Sequence, residues 1–178
     1  MKVVVFDYLG SIDPDSVGAV MDVGTWQAQP GIADAIAHLN HHGWHVVQAV
    51  NQPGLGRGSL EIAELTAVQQ RLQKILNAAG GRIEAFFFCP HAPEEHCDCR
   101  KPAPGLLLQI AARCGVAPQE LWVVGLCQPH IQAGLAVGAK VALVMPDPSL
   151  HIDCTLCAES PLPRYANWMA LAHALAPD

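Results

Sequence analysis

Three cysteines and a histidine near the middle of the chain have the types and the spacing of a metal site. Cys89, His91, Cys97 and Cys99 form the pattern C-x-H-x5-C-x-C. Thiolates and imidazoles are ligands that zinc prefers, and four of them complete the tetrahedral shell of a structural site. The alternative is a chance cluster of reduced cysteines, which is disfavoured because four ligand-type residues rarely occur this close together. We therefore predict one zinc ion in a loop over residues 89–99.

The other cysteines form no comparable group. His151, Cys154 and Cys157 supply only three ligands, so an ordinary loop is favoured there and a metal is the alternative. Cys114 and Cys127 are interpreted as buried, small apolar side chains. Neither interpretation adds a second metal to the prediction.

Short β-branched and aromatic runs recur along the chain and predict buried strands, because each run is too short for a helix. Helical patterns lie between them, and this alternation predicts an α/β fold: a parallel sheet with helices on both faces. Loops that follow the strands would then line a ligand crevice at the carboxyl edge of the sheet. The predicted strands are Val3–Phe6, His45–Val47, Ala85–Phe88, Trp122–Val124 and Val141–Val144.

The clearest helix has an apolar stripe from Leu60 to Leu76, with Ser59 as its predicted N-cap. Prolines predict the starts of the other helices, because proline is favoured in the first turn. His38, His41, His42 and His45, at a helix end and the following strand, are interpreted as mostly solvent-facing. The proline-initiated helices are predicted from Pro30, Pro104, Pro129 and Pro163.

Composition and charge limit the classes of partner. The 178 residues, 51% of them hydrophobic, predict a single domain over 1–178 that buries its own core. A net charge of −6 argues against nucleic-acid and anionic-membrane partners. The apolar N-terminal run is broken by Asp7 and predicts no signal peptide, and no apolar stretch is long enough to span a membrane. Clustered cysteines without an export signal favour a reducing compartment, so we expect a cytoplasmic protein.

Polar motifs follow three of the predicted strands in a recognisable order. The first strand ends in F-D-Y-L-G-S over residues 6–11, the second is followed by N-Q-P-G-L-G-R-G over 51–58, and the third by C-D-C-R-K-P-A-P-G over 97–105. This order resembles the haloacid dehalogenase superfamily. Within it, the chain is similar to the zinc-containing group of D-glycero-D-manno-heptose-1,7-bisphosphate phosphatases and their histidinol-phosphatase relatives. The resemblance extends from Val3 to about Val144.

The resemblance implies a capless Rossmann-like domain with a zinc loop and a Mg²⁺-dependent phosphatase site. Such enzymes hydrolyse a phosphomonoester through an aspartyl-phosphate. Asp7 matches the family nucleophile, and Lys101 matches the lysine that holds the nucleophile and the phosphoryl oxygens. The positions that match the phosphate- and substrate-binding residues are Gly10, Ser11, Asn51, Gln52, Arg57, Arg100 and Lys101.

Four positions depart from the family pattern. Leu9 replaces the aspartate that acts as general acid and base, and Val50 replaces a threonine that contacts the phosphoryl group. Leu126 and His130 replace the two carboxylates that bind Mg²⁺ after the fourth strand. Mg²⁺ prefers oxygen ligands, so we expect it to bind poorly here. Loss of the acid–base group alone costs about 10²–10⁴ in rate.

The preferred hypothesis is a catalytically degenerate phosphatase homologue that binds a sugar phosphate, or a protein partner, without normal turnover. One alternative is an active sugar-phosphate phosphatase that acts through Asp7 in heptose and lipopolysaccharide-core precursor synthesis. Asp13, Asp15 or His130 would then replace the lost groups, or His130 and Cys127 would bind a softer metal. The other alternative is a purely structural interaction protein, in which Asp7 and Lys101 form a plain ion pair.

Overall fold

The computed structural model describes residues 1–16, 19, 21–145 and 162–178, so His151, Cys154 and Cys157 lie outside the described residues. Six strands form one fully parallel sheet in the order β3-β2-β1-β4-β5-β6. All five predicted strands are confirmed, and β6 is an addition. The strands are β1 (Lys2–Phe6), β2 (Trp44–Asn51), β3 (Ala85–Cys89), β4 (Trp122–Gly125), β5 (Lys140–Val144) and β6 (Arg164–Tyr165).

Helices cover both faces of the sheet, as predicted. Side chains alternate along each strand, so β1 directs Val4 and Phe6 into one apolar cluster and Val3 and Val5 into another. The first cluster includes residues of α1, α3 and α6, and the second includes residues of α4 and α5. The helices are α1 (Ile32–His41), α2 (Pro53–Arg57), α3 (Ile62–Ala78), α4 (Gly105–Cys114), α5 (Gln128–Ala136) and α6 (Trp168–Leu175).

Two predicted helix starts are wrong. Helix α3 begins after Glu61, whose backbone N–H donates to the Glu64 carboxylate at 2.8 Å, whereas the Ser59 hydroxyl donates to a carbonyl of the preceding turn. Helix α6 begins after Asn167, which accepts a hydrogen bond from the Ala170 N–H at 2.8 Å, because the chain after Pro163 first forms β6. Both true caps are side chains that accept or reciprocate first-turn N–H bonds.

The histidines near the end of α1 are less exposed than predicted. His41 is exposed, but His38 and His45 are half-buried. The His38 ring contacts the Ala176 carbonyl, and the His45 ring contacts the Glu84 carboxylate at 2.7 Å.

Among the residues that the structure describes, no helix combines the length and the apolar composition that a membrane crossing requires.

Candidate functional site

The four predicted zinc ligands converge at the end of β3. Cys89 Sγ lies 3.1 Å from Cys99 Sγ and 3.6 Å from Cys97 Sγ, and His91 Nδ1 lies 3.3 Å from Cys99 Sγ and 3.4 Å from Cys89 Sγ. A zinc ion about 2.0–2.3 Å from each ligand atom needs separations of this size. These residues therefore fit a tetrahedral zinc site, as the spacing predicts.

The loop around this group is tightly folded. Gly105, the first residue of α4, packs so closely on the Asp98 carbonyl that a side chain there would overlap the loop backbone. Burial raises the pKa of the Cys97 thiol, but hydrogen bonds from the Arg100 backbone N–H and from neighbouring thiols lower it to about 7. One ligand thiol is thus readily ionised near neutral pH, as metal binding requires.

The zinc loop leads directly into the crevice through Arg100 and Lys101. The Asn51 side chain, at the end of β2, fixes this segment with two bonds: its oxygen accepts from the Lys101 N–H, and its amide donates to the Lys101 carbonyl, each at 3.0 Å. The ends of β2 and β3 are neighbours in the sheet. Asn51 therefore couples the position of Lys101 to the sheet as well as to the loop.

Lys101 is buried, with its side chain 3% exposed, and its ammonium donates three hydrogen bonds. The acceptors are Asp7 Oδ1 at 2.9 Å, the Ala49 carbonyl at 2.6 Å and His130 Nδ1 at 3.0 Å. An ammonium has three donors, so this set is complete. The other His130 nitrogen, Nε2, donates to the Val5 carbonyl at 3.2 Å. Asp7 Oδ2 is buried without a hydrogen-bond partner.

Burial and charge fix the protonation states of this group. Burial and the nearby Lys101 ammonium together lower the pKa of His130 to about 4, so the imidazole is neutral at neutral pH. Burial raises the pKa of Asp7, but the charge and hydrogen bond of Lys101, together with contributions from His130 and Cys127, outweigh burial and hold the pKa below the ordinary value. An ionised carboxylate, an ammonium and a neutral imidazole therefore lie side by side.

Asp15 brings a carboxylate onto two of the predicted anion-binding residues. Its Oδ1 accepts from Arg100 Nη2 at 2.7 Å, and its Oδ2 accepts from Asn51 Nδ2 at 3.0 Å. Arg100 Nη1 is buried without a partner. The sequence places Asp15 near the crevice, but its contacts with Arg100 and Asn51 are visible only in the structure.

Asp13 and Cys127 lie beside Asp7 and Asp15 at the same end of the sheet. Cys127 Sγ lies 3.6 Å from Asp13 Oδ2, and both residues line a cavity of about 40 Å³ together with Asp7, Asp15 and His130. The prediction that Cys127 and Cys114 are buried apolar groups is wrong, since both are half-buried and Cys127 faces a carboxylate. A cavity of this size holds about one water molecule.

Three of the four positions that depart from the family pattern carry apolar side chains that are buried or partly buried. Leu9 is 1% exposed and packs in the same cluster as Trp26, and Val50 is 5% exposed. Leu126 packs at the edge of that cluster and lines a larger cavity, of about 450 Å³, beside Tyr8. Neither leucine supplies an oxygen near Asp7.

The other predicted phosphate-shell residues do not all join Asn51, Arg100 and Lys101. Ser11 Oγ accepts from the Gln27 N–H at 3.1 Å, and Gly10 lies under the Trp26 ring. Gln52 is buried and lines a separate small cavity. Arg57 lies on α2 with its side chain 51% exposed, and its Nη2 is 3.9 Å from a Glu94 carboxylate oxygen.

Comparison with known proteins identifies close relatives, although no family model matches the chain. A D-glycero-beta-D-manno-heptose-1,7-bisphosphate 7-phosphatase of Pseudomonas putida is 40% identical over 144 residues, which cover 81% of this chain and 82% of the relative. The solved D,D-heptose 1,7-bisphosphate phosphatase of Bordetella bronchiseptica, complexed with magnesium and phosphate, superposes with a TM-score of 0.84 at 35% identity and 98% coverage of both chains. The corresponding phosphatase of Burkholderia thailandensis gives a TM-score of 0.71 at 32% identity, with full coverage of both chains.

Proposed function

Because the chain belongs to the D-glycero-beta-D-manno-heptose-1,7-bisphosphate 7-phosphatase family of the haloacid dehalogenase superfamily, we propose that its crevice binds a sugar phosphate without normal turnover. The observation that carries the proposal is the pairing of Arg100 and Asn51 with an internal carboxylate, beside an Asp7 whose family acid–base partner is replaced by the buried Leu9. The crevice thus keeps side chains that can bind a phosphoryl group but lacks the family's acid–base carboxylate.

The contacts of the Asp15 carboxylate are the reason to propose an anion site in the crevice. It accepts hydrogen bonds from Arg100 and Asn51, the groups assigned to the phosphoryl oxygens, and the buried Arg100 Nη1 is still free to donate. An arginine fork suits carboxylate and phosphate alike. A phosphoryl group would take the place of Asp15 and gain the Nη1 donor.

The absence of turnover is proposed because the two family positions for Mg²⁺ carry no carboxylate, and the other carboxylates of the cavity, Asp13 and Asp15, already accept hydrogen bonds from Cys127, Arg100 and Asn51. Leu9 and Leu126 offer no side-chain oxygen, and both nitrogens of His130 are engaged by Lys101 and Val5. Mg²⁺ requires nearly octahedral oxygen coordination. Without a metal, Lys101 alone balances the charge of Asp7, and Leu9 supplies no acid at the family position that protonates the leaving oxygen.

In this proposal each residue of the crevice has a separate role in binding the phosphoryl group. Arg100 and Asn51 hold the phosphoryl oxygens, and Lys101 neutralises Asp7 so that the net charge of the crevice does not exclude an anion. Zinc, held by Cys89, His91, Cys97 and Cys99, would fix the loop that carries Arg100. A cytoplasmic location belongs to the same proposal, because thiolate ligands persist in a reducing compartment.

The test measures binding and turnover separately. Isothermal titration with inorganic phosphate and with D-glycero-β-D-manno-heptose 1,7-bisphosphate should show binding by the wild-type protein. Arg100→Gln should weaken it by about 10-fold, since a charge-assisted pair is lost. The matched control Arg113→Gln, an exposed arginine on α4, should leave it unchanged.

Phosphate release in the presence of Mg²⁺ decides between a binding protein and an enzyme. We expect the wild type to match Asp7→Asn, and activity to appear only when Leu9→Asp, Val50→Thr, Leu126→Asp and His130→Asp are combined. Robust wild-type release that Asp7→Asn abolishes would refute the proposal. The wild-type and Asp7→Asn pair is sufficient even if the fourfold variant folds poorly.

The active phosphatase is the second candidate, and one observation favours it: Asp7 is ionised, buried and paired with Lys101, as a phosphoryl-accepting carboxylate must be. Asp13 is the carboxylic group positioned to replace the missing acid, because burial raises its pKa. If release is observed, Asp13→Asn should reduce it by at least about 10²-fold.

A further inference from the structure

Two helices end at the same place on the surface, at the edge of the sheet opposite the crevice. Helix α1 ends at His41, and only two residues separate it from the start of β2 at Trp44, so its carboxyl end lies at the amino ends of the strands. Helix α6 packs against α1, and the residues after Leu175 contact the same helix end. Each helix presents the negative end of its dipole there, which favours a bound cation.

Two histidines and a carboxylate meet at this point. His38 and His42 are four residues apart, so they lie on one face of the helix end, and their rings are 4.3 Å apart between centroids. His42 Nε2 is 3.9 Å from Asp178 Oδ1. One ligand atom from each of these three residues lies within 4.8 Å of the others.

Hydrogen bonds orient both rings in the manner of metal ligands. His42 Nδ1 donates to the His38 carbonyl at 2.8 Å, which leaves the lone pair of Nε2, 3.9 Å from Asp178 Oδ1, available to a metal. His38 is held by a 2.7 Å contact from Nε2 to the Ala176 carbonyl and by stacking on His173 at 4.6 Å. A carbonyl that fixes the ring of a histidine is a common second layer around protein-bound metals.

We infer that His38, His42 and Asp178 form a binding site for a divalent transition metal such as Zn²⁺, Co²⁺ or Ni²⁺. Two imidazoles and one carboxylate select such borderline ions over Mg²⁺ or Ca²⁺. Water completes the coordination because the site is open to solvent. Bound metal links the end of the chain segment after α6 to α1, so it stabilises the packing of these two helices.

Cobalt distinguishes this site from the zinc loop, because Co²⁺ on thiolates gives intense charge-transfer absorption and Co²⁺ on imidazole and carboxylate does not. The protein is prepared without an affinity tag, stripped of metal under reducing conditions and titrated with Co²⁺ at neutral pH. Two equivalents should bind: one with thiolate bands and one without. The second equivalent should raise the Tm.

His42→Gln and Asp178→Asn should each weaken the second equivalent by at least about 10-fold and leave the thiolate bands unchanged. The matched control His41→Gln, an exposed histidine one residue away, should bind both equivalents like the wild type. A single equivalent in the wild type, or a second equivalent of unchanged affinity in the His42→Gln, Asp178→Asn double variant, would overturn the inference.

Discussion

At the scale of single residues, the Asp15 carboxylate already occupies the donors in the crevice that would bind an anion. Asp15 accepts hydrogen bonds from Arg100 and Asn51. The side chains of the ion pair are only about one fifth exposed, 22% for Asp15 and 21% for Arg100. A ligand that uses the same donors must displace this carboxylate. The measured affinity of an anionic ligand is therefore the difference between its own interaction free energy with Arg100 and Asn51 and that of the Asp15 carboxylate.

Asp15→Asn should strengthen the binding of inorganic phosphate. The amide cannot pair with Arg100 as an ion, so about 1 kcal/mol of competing interaction is removed, which is about 5-fold in Kd. Isothermal titration measures the change. Asp34→Asn, an exposed residue of α1, changes the net charge equally and should leave the Kd unchanged; equal effects of both variants would mean that Asp15 does not compete.

At the scale of elements, the zinc loop connects a strand to the start of a helix. Cys89 ends β3, Cys99 is followed by Arg100 and Lys101, and Gly105 begins α4 against the loop backbone. Loss of the metal should therefore affect the crevice as well as the loop.

Cys97→Ser should lower the free energy of unfolding by about 3 kcal/mol, or about 6–12 °C in Tm, and should weaken phosphate binding. Thermal unfolding and titration are compared with Cys114→Ser, which removes a half-buried cysteine of α4 that is not a ligand. Equal losses in both variants, or unchanged phosphate binding in Cys97→Ser, would contradict the coupling of loop and crevice.

At the scale of the whole molecule, His130 links acidity to stability. It is 0% exposed, and its pKa falls from an ordinary value near 6.5 to about 4 in the folded protein. The unfolded chain therefore takes up this proton first as the pH falls. The folded state therefore loses stability as the pH falls from about 6.5 to 4, and above that range His130 adds no pH dependence to the stability.

His130→Gln should remove this part of the pH dependence. The gap in unfolding free energy between wild type and variant should shift by about 3 kcal/mol between pH 7.5 and 4, since each pKa unit corresponds to about 1.4 kcal/mol. Urea unfolding across this range measures it, with His41→Gln as the exposed control. A constant gap would mean that His130 is not held neutral.

The sequence predicts the sheet and the convergence of the four candidate zinc ligands well because both depend on local patterns. Runs such as Val3–Phe6 are buried on both faces, and Cys89 to Cys99 lie in one short loop. Contacts between distant segments are not encoded locally: Asp15 meets Arg100, and His130 is fixed by Lys101 and Val5. The sequence misplaces the N-cap of α3 because Leu60 fits the apolar stripe and points to Ser59, whereas the helix begins only after Glu61.

The packing of Leu9 also sets the energetic cost of placing an acid at this position. Leu9 lies in the cluster that contains Trp26, and the Trp26 ring covers Gly10. A carboxylate introduced at position 9 alone would be buried among apolar groups, which is costly. Leu9→Asp alone is therefore expected to reduce stability, because the packing of the core around Trp26 favours an apolar side chain at this position.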